Sequence, residues 1–140
     1  MRRLSEGFYP GLICAIVIMV LVGMPGNFFP AVVTLWDWLS PDKLVHLLIF
    51  GLLSFMTLWG YRNVIPQKNK NYFRKLLVVS SLVTISYAGL TEILQKYVFV
   101  GRYGCVYDFI ADTIGCIFGV LAFMFYCKKN KKISRSKMNI

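Results

Sequence analysis

Residues 107–132 read YDFIADTIGCIFGVLAFMFYCKKNKK, and this stretch decides the fold. An apolar run from Tyr107 to Cys127 is interrupted by acids only near its start, at Asp108 and Asp112. It is followed at once by Lys128, Lys129, Lys131 and Lys132. At 1.5 Å per residue, about 20 apolar residues cross the roughly 30 Å of hydrocarbon in a bilayer. Backbone exposed to lipid must satisfy its hydrogen bonds within its own segment, so such a run is predicted to be a helix.

Three further runs have the same character: Phe8 to Met24, ending at Pro25-Gly26; Leu44 to Tyr61; and Leu76 to Tyr97. The four are 17 to 22 residues long. The first follows Arg2-Arg3, but no small-x-small cleavage pattern comes after it, so it is read as a retained helix rather than a signal peptide. The expected fold is all-α: an integral membrane bundle of four transmembrane helices over residues 1–127, with a basic tail over 128–140. With 57% of its residues hydrophobic and 16% charged, the chain is too apolar for an ordinary soluble domain of 140 residues.

The charges sort by end. Every Lys and Arg except Lys43, Lys96 and Arg102 lies before helix one, between helices two and three, or in the tail, and every acid except Glu6 lies at the opposite ends. The positive-inside rule then predicts both termini in the cytoplasm. The net charge of +10 does not point to nucleic acid, because the basic residues form short clusters beside apolar runs and no nucleic-acid motif accompanies them. The loop from Pro25 to Pro41 carries Phe28, Phe29, Trp36 and Trp38 and is expected to lie along the outer surface as a short amphipathic piece. Ser40-Pro41-Asp42 reads as a helix start. The polar tail is expected to be disordered and to rest on anionic lipid. Cys14, Cys105, Cys116 and Cys127 show neither a disulfide framework nor metal-pair spacing, and most of them are assigned to packing. No cofactor is indicated.

Ionisable residues intrude into the helix ends on the acidic side. Asp42 and His46 are i and i+4, with Lys43 beside them; Glu92 and Gln95 are i and i+3; Asp108 and Asp112 are i and i+4. Each set shares a helix face. Gly115 and Gly119 continue the last stripe as a small-x-x-x-small pair that admits a close helix neighbour. Charges at membrane depth are costly and face the bundle interior or a watery cavity, so the three polar faces are expected to converge. Arg102, on the loop between the last two helices, offers a planar fork for two carboxylates or a phosphate. Taken singly, plainer roles compete. Asp42 and Asp108 fit N-terminal caps, His46 fits a packing histidine, and Glu92 with Arg102 fits a structural ion pair. Ser80, Ser81, Thr84 and Ser86 are assigned to helix packing. Six ionisable residues from three helices at one depth exceed what capping requires.

Two motifs carry a resemblance. Pro41-Asp42-Lys43-x-x-His46 opens the second helix. Glu92-x-x-Gln95, Gly101-Arg102 and Asp108-x-x-x-Asp112-x-x-Gly115-x-x-x-Gly119 follow. Over about residues 40 to 126 the chain resembles the VanZ-like family of small bacterial membrane proteins. The resemblance implies a multi-pass cell-envelope protein from a family linked to low-level resistance to teicoplanin-type glycopeptide antibiotics, and it fixes no activity. Members commonly carry Asn where Asp112 stands. The stretch Tyr103-Gly104-Cys105-Val106 lacks the small hydroxyl residue often found before the position of Asp108.

Three functions are compatible with these residues. In the leading one, Lys43, His46 and Arg102 contact the phosphate of an anionic lipid or an isoprenoid-phosphate envelope precursor, while Glu92, Gln95, Asp108 and Asp112 complete the site. In the second, the protein is an enzyme acting on a lipid phosphate, with His46 as base, Asp42 orienting it, and Glu92 with Asp112 holding a divalent metal. No recognisable nucleophile supports that reading. In the third, the cluster only ties helix ends together. A transporter would require a homo-oligomer to enclose a path.

Overall fold

Each apolar run becomes a helix. In a computed structural model of the chain, α1 spans Tyr9–Gly23, α2 Pro41–Trp59, α3 Lys70–Tyr97 and α4 Val106–Met138. The structure describes residues 6–24, 41–63, 70–99 and 106–138, and within them the side chains of 6–24, 43–63, 70–99 and 106–130. No strand occurs among the described residues. Pro10 lies in the first turn of α1 and Pro41 opens α2, where a missing N–H costs nothing. The aromatic loop with Phe28, Phe29, Trp36 and Trp38, the cap at Ser40, and Arg102 and Cys105 fall outside the described residues.

Two helix ends differ from the sequence reading. Helix α3 begins at Lys70, six residues before its apolar run, and α4 continues through the basic tail to Met138. The tail is therefore helical over 128–138 rather than disordered. Hydropathy locates the lipid-compatible part of a helix, not its ends. Once the apolar segment has borne the nucleation cost, adding a residue to the helix is cheap, and Lys and Arg are good helix formers. Cations at the C-terminal end of α4 also complement its dipole.

Lys70–Tyr97 and Val106–Asn130 are long and apolar enough to cross a membrane; Tyr9–Gly23 and Lys43–Trp59 are apolar but shorter. The burial pattern is inverted relative to a water-soluble fold. Buried positions include His46, Ser54, Thr84, Glu92, Gln95, Asp108 and Asp112, whereas Val20, Leu48, Leu82 and Phe125 are more than half exposed. A protein in water places such apolar residues inside and rarely leaves large contiguous patches of them outside.

Helices α2 and α4 form the most intimate pair. The glycine stripe makes this possible: a Cβ on Gly115 would strike the carbonyl of Leu47, and one on Gly119 would strike the carbonyl of Gly51 and the side chain of Ser54. The assignment of both glycines to packing is thus given a specific partner. Around this seam lie two apolar clusters. One joins Ile18, Val22, Phe50, Leu53, Ala88 and Cys116 from all four helices. The other centres on Leu58 and Phe123, with Phe55, Phe73 and Tyr126 against them, toward the basic end.

Helix α1 is tied in by a polar contact, the hydroxyl of Tyr87 donating to the carbonyl of Ala15 at 2.7 Å. Ser81 and Thr84 donate to carbonyls one turn back, at Leu77 and Ser80, which satisfies their hydroxyls without a partner helix. Ser80 is buried, but Ser86 is exposed and does not pack inside the bundle. Cys14, Cys116 and Cys127 pack on the apolar clusters and form no disulfide with one another.

Candidate ligand site at the polar end of the bundle

Helices α2 and α4 begin, and α3 finishes, at the same end of the bundle. Their polar positions meet there. The His46 Nδ1 lies 3.0 Å from Asp112 Oδ1, joining α2 to α4 across 66 residues of sequence. With Asp112 ionised, a hydrogen bond at this distance requires the proton on Nδ1, which then donates to Oδ1. The same nitrogen lies 3.8 Å from Glu92 Oε1 on α3. His46, Glu92 and Asp112 are all buried, and Asp112 is fully so.

The local reasons are those of helix periodicity. Gln95 lies one turn beyond Glu92 and is buried with it; Asp108 lies one turn before Asp112 and is buried with it. Asp108 stands in the first turn of α4, where the helix dipole favours a carboxylate. Lys43 is half-buried on the first turn of α2. The backbone of Asp42 is helical, but its side chain, like all of Arg102, lies outside the described residues. The structure therefore brings together His46, Glu92 and Asp112 and buries Gln95 and Asp108 at the same end. It leaves the expected Asp42–His46 pairing and the Arg102 contacts outside the description.

Two residues escaped the sequence reading. The ring of Phe50 lies almost parallel to that of His46, at 13°, with centroids 6.4 Å apart. Phe50 is one turn after His46 on the same face, a spacing hidden because Phe50 belongs to an apolar run. Thr91, beside Glu92, is fully buried and donates to the carbonyl of Ala88 at 2.8 Å.

Two buried carboxylates, Glu92 and Asp112, meet the His46 imidazole, and Asp108 is buried one turn before Asp112. Buried charge is expensive unless it is paired, hydrogen-bonded or bound to a metal. The end of the bundle is thus a place for cations, whether from the chain or from outside. One ligand atom from each of His46, Glu92 and Asp112 lies within 4.8 Å of the others, close enough for these residues to hold a metal ion together. No local motif announces that set, since its members come from three helices.

The family model for VanZ/LLP1 matches residues 12–127. The chain belongs to the VanZ/LLP1 family. The match reaches from within α1 through the apolar part of α4, so the VanZ/LLP1 region includes most of the first helix as well as both motifs and every described residue of the polar end. Comparison with curated proteins and with solved structures finds no match.

Proposed function

We infer that this VanZ/LLP1 protein is a multi-pass protein of the bacterial cytoplasmic membrane, with all four helices spanning and both termini in the cytoplasm. Its polar end faces outward and recognises the phosphate of an anionic lipid or an isoprenoid-phosphate envelope precursor. The observation that carries this reading is a buried ionisable cluster, drawn from three helices, at one end of a bundle whose outside is apolar. Ionisable residues within a membrane bundle are costly and mark ligand sites more often than structural ones.

Lys43 and Arg102 supply the cations that meet the phosphate, and Arg102 can span two oxygens with its planar fork. Glu92 and Asp112 orient these cations and His46. The orientation rests on the basic clusters, which retain Arg62, Arg74, Lys75 and the tail on the cytoplasmic side. The link of the family to teicoplanin-type resistance fits a site that handles envelope precursors, and a resistance role for this chain is part of the same proposal.

A second reading is supported by the His46–Asp112 pair at 3.0 Å, which has the arrangement of a general base and its orienting carboxylate. The protein would then act on a lipid phosphate, with Asp112 rather than Asp42 in the orienting role.

Binding of an isoprenoid monophosphate to the purified protein in neutral detergent tests the headgroup site. Wild type should bind it saturably, and Arg102→Ala should weaken binding by about tenfold or more, as expected for loss of a charge-assisted contact worth about 1.5–3 kcal/mol. Equal binding by wild type and Arg102→Ala would remove the headgroup reading. Release of inorganic phosphate by wild type but not by His46→Ala would favour the enzyme.

A further inference from the structure

His46 Nδ1 faces two carboxylates at once, and a hydrogen bond accounts for only one of them. A ring nitrogen makes one hydrogen bond in its ring plane, and Asp112 Oδ1 at 3.0 Å is the oxygen within reach. Glu92 Oε1, at 3.8 Å from the same nitrogen, lies beyond hydrogen-bond distance yet is buried and turned toward it. One central cation would engage all three ligand atoms. Metal–nitrogen and metal–oxygen bonds of about 2.0–2.2 Å at a tetrahedral angle place neighbouring ligand atoms about 3.4 Å apart. The observed 3.0 and 3.8 Å lie on either side of that spacing, and all three ligand atoms fall within 4.8 Å of one another.

We propose that His46, Glu92 and Asp112 form a binding site for a divalent transition-metal ion of the zinc or manganese class. The donor set chooses the class. Calcium and magnesium prefer all-oxygen shells, and copper(I) and iron–sulfur centres prefer thiolates. One imidazole with two carboxylates suits Zn²⁺, Mn²⁺ or Fe²⁺. Metal binding displaces a proton from Nδ1, so a hydrogen bond to Asp112 and a metal bond are alternatives at the same nitrogen.

The surroundings suit the role. Phe50 lies one turn from His46 with its ring nearly parallel to the imidazole. Each ligand comes from a different helix, so the ion would lock α2, α3 and α4 together at this end. Three protein ligands leave at least one coordination position open, the pattern of sites that take an exogenous ligand rather than of closed structural sites. A phosphate oxygen is a suitable fourth ligand. The site nevertheless stands on the three ligand atoms alone, independent of the headgroup reading.

The test is metal loading of the full chain in detergent, with no lipid added, so that failure of the headgroup reading leaves it unaffected. After chelation and dialysis, the protein is titrated with Zn²⁺ and with Mn²⁺ and bound metal is measured by mass spectrometry. Wild type should retain about one equivalent per chain of one of these ions. Glu92→Gln and Asp112→Asn, which preserve side-chain shape, should each weaken retention at least as much as the loss of an outer-shell contact, about 10–100-fold. The Mn²⁺-loaded wild type supplies a readout that no variant's folding can confound: pulsed electron paramagnetic resonance should show a ¹⁴N coupling from one imidazole, since His46 is the sole histidine of the chain. Wild type that retains no stoichiometric metal overturns the proposal. So does bound manganese without a nitrogen coupling, or retention unchanged in both variants.

Discussion

The two ends of the α2–α4 seam are built from different materials. At one end Nδ1 of His46 on α2 lies 3.0 Å from Asp112 Oδ1 on α4, with Glu92 of α3 beside them. At the other, Phe55 of α2 packs edge-on against Phe123 and Tyr126 of α4, with ring centroids 6.1 and 6.3 Å apart. Between them the glycines set the close approach of the helices along the seam. The aromatic end joins the same two helices with apolar side chains, Leu58 and Phe55 of α2 against Phe123, Val120 and Tyr126 of α4. Holding helices together therefore does not require buried carboxylates, and replacing a buried ion pair with well-packed apolar residues is often neutral or stabilising. The polar end is therefore where the proposed binding role rests.

The largest expected effect falls on the seam that both ends share. Gly119→Leu would drive a side chain into the carbonyl of Gly51, so α2 and α4 must separate. The protein should fail to purify as a monodisperse species, and a normal elution profile would show that the seam is not the organising contact. Next comes Phe123→Ala, which empties a fully buried position at the aromatic end. Loss of about 3–5 kcal/mol is expected, read as a lowered unfolding temperature in detergent, with ligand affinity in the surviving folded fraction unchanged. A change in affinity there would couple the two ends and weaken the contrast. The smallest effect is Tyr87→Phe, which removes the hydrogen bond to Ala15 while leaving the ring against Phe50. It should cost about 1 kcal/mol, loosening α1 alone.

Much of this contrast was legible in the sequence, because helix periodicity and charge placement are local. The i, i+3 and i, i+4 pairs Glu92/Gln95 and Asp108/Asp112 are buried as those spacings require, and Gly115/Gly119 face a close neighbour. The ends of α3 and α4 were not legible, since polar extensions such as Lys70 to Lys75 and Lys128 to Met138 are helical for reasons that hydropathy does not measure. The pairing of His46 was not legible either. Asp42 is its nearest acid on the same helix face, whereas Asp112, which it contacts, lies 66 residues away on α4. Ser86 differs from its neighbours because the helix phase turns it outward, away from the face that buries Ser80 and Thr84.

The most direct measurement is native mass spectrometry of wild type, Glu92→Gln and Phe123→Ala, each purified in the same mild detergent. If the polar end binds an anionic headgroup and the aromatic end only packs, wild type and the folded fraction of Phe123→Ala should carry the same co-purifying anionic lipid or isoprenoid phosphate, and Glu92→Gln should have lost it. Identical lipid content in all three, or loss in Phe123→Ala with retention in Glu92→Gln, would contradict the account.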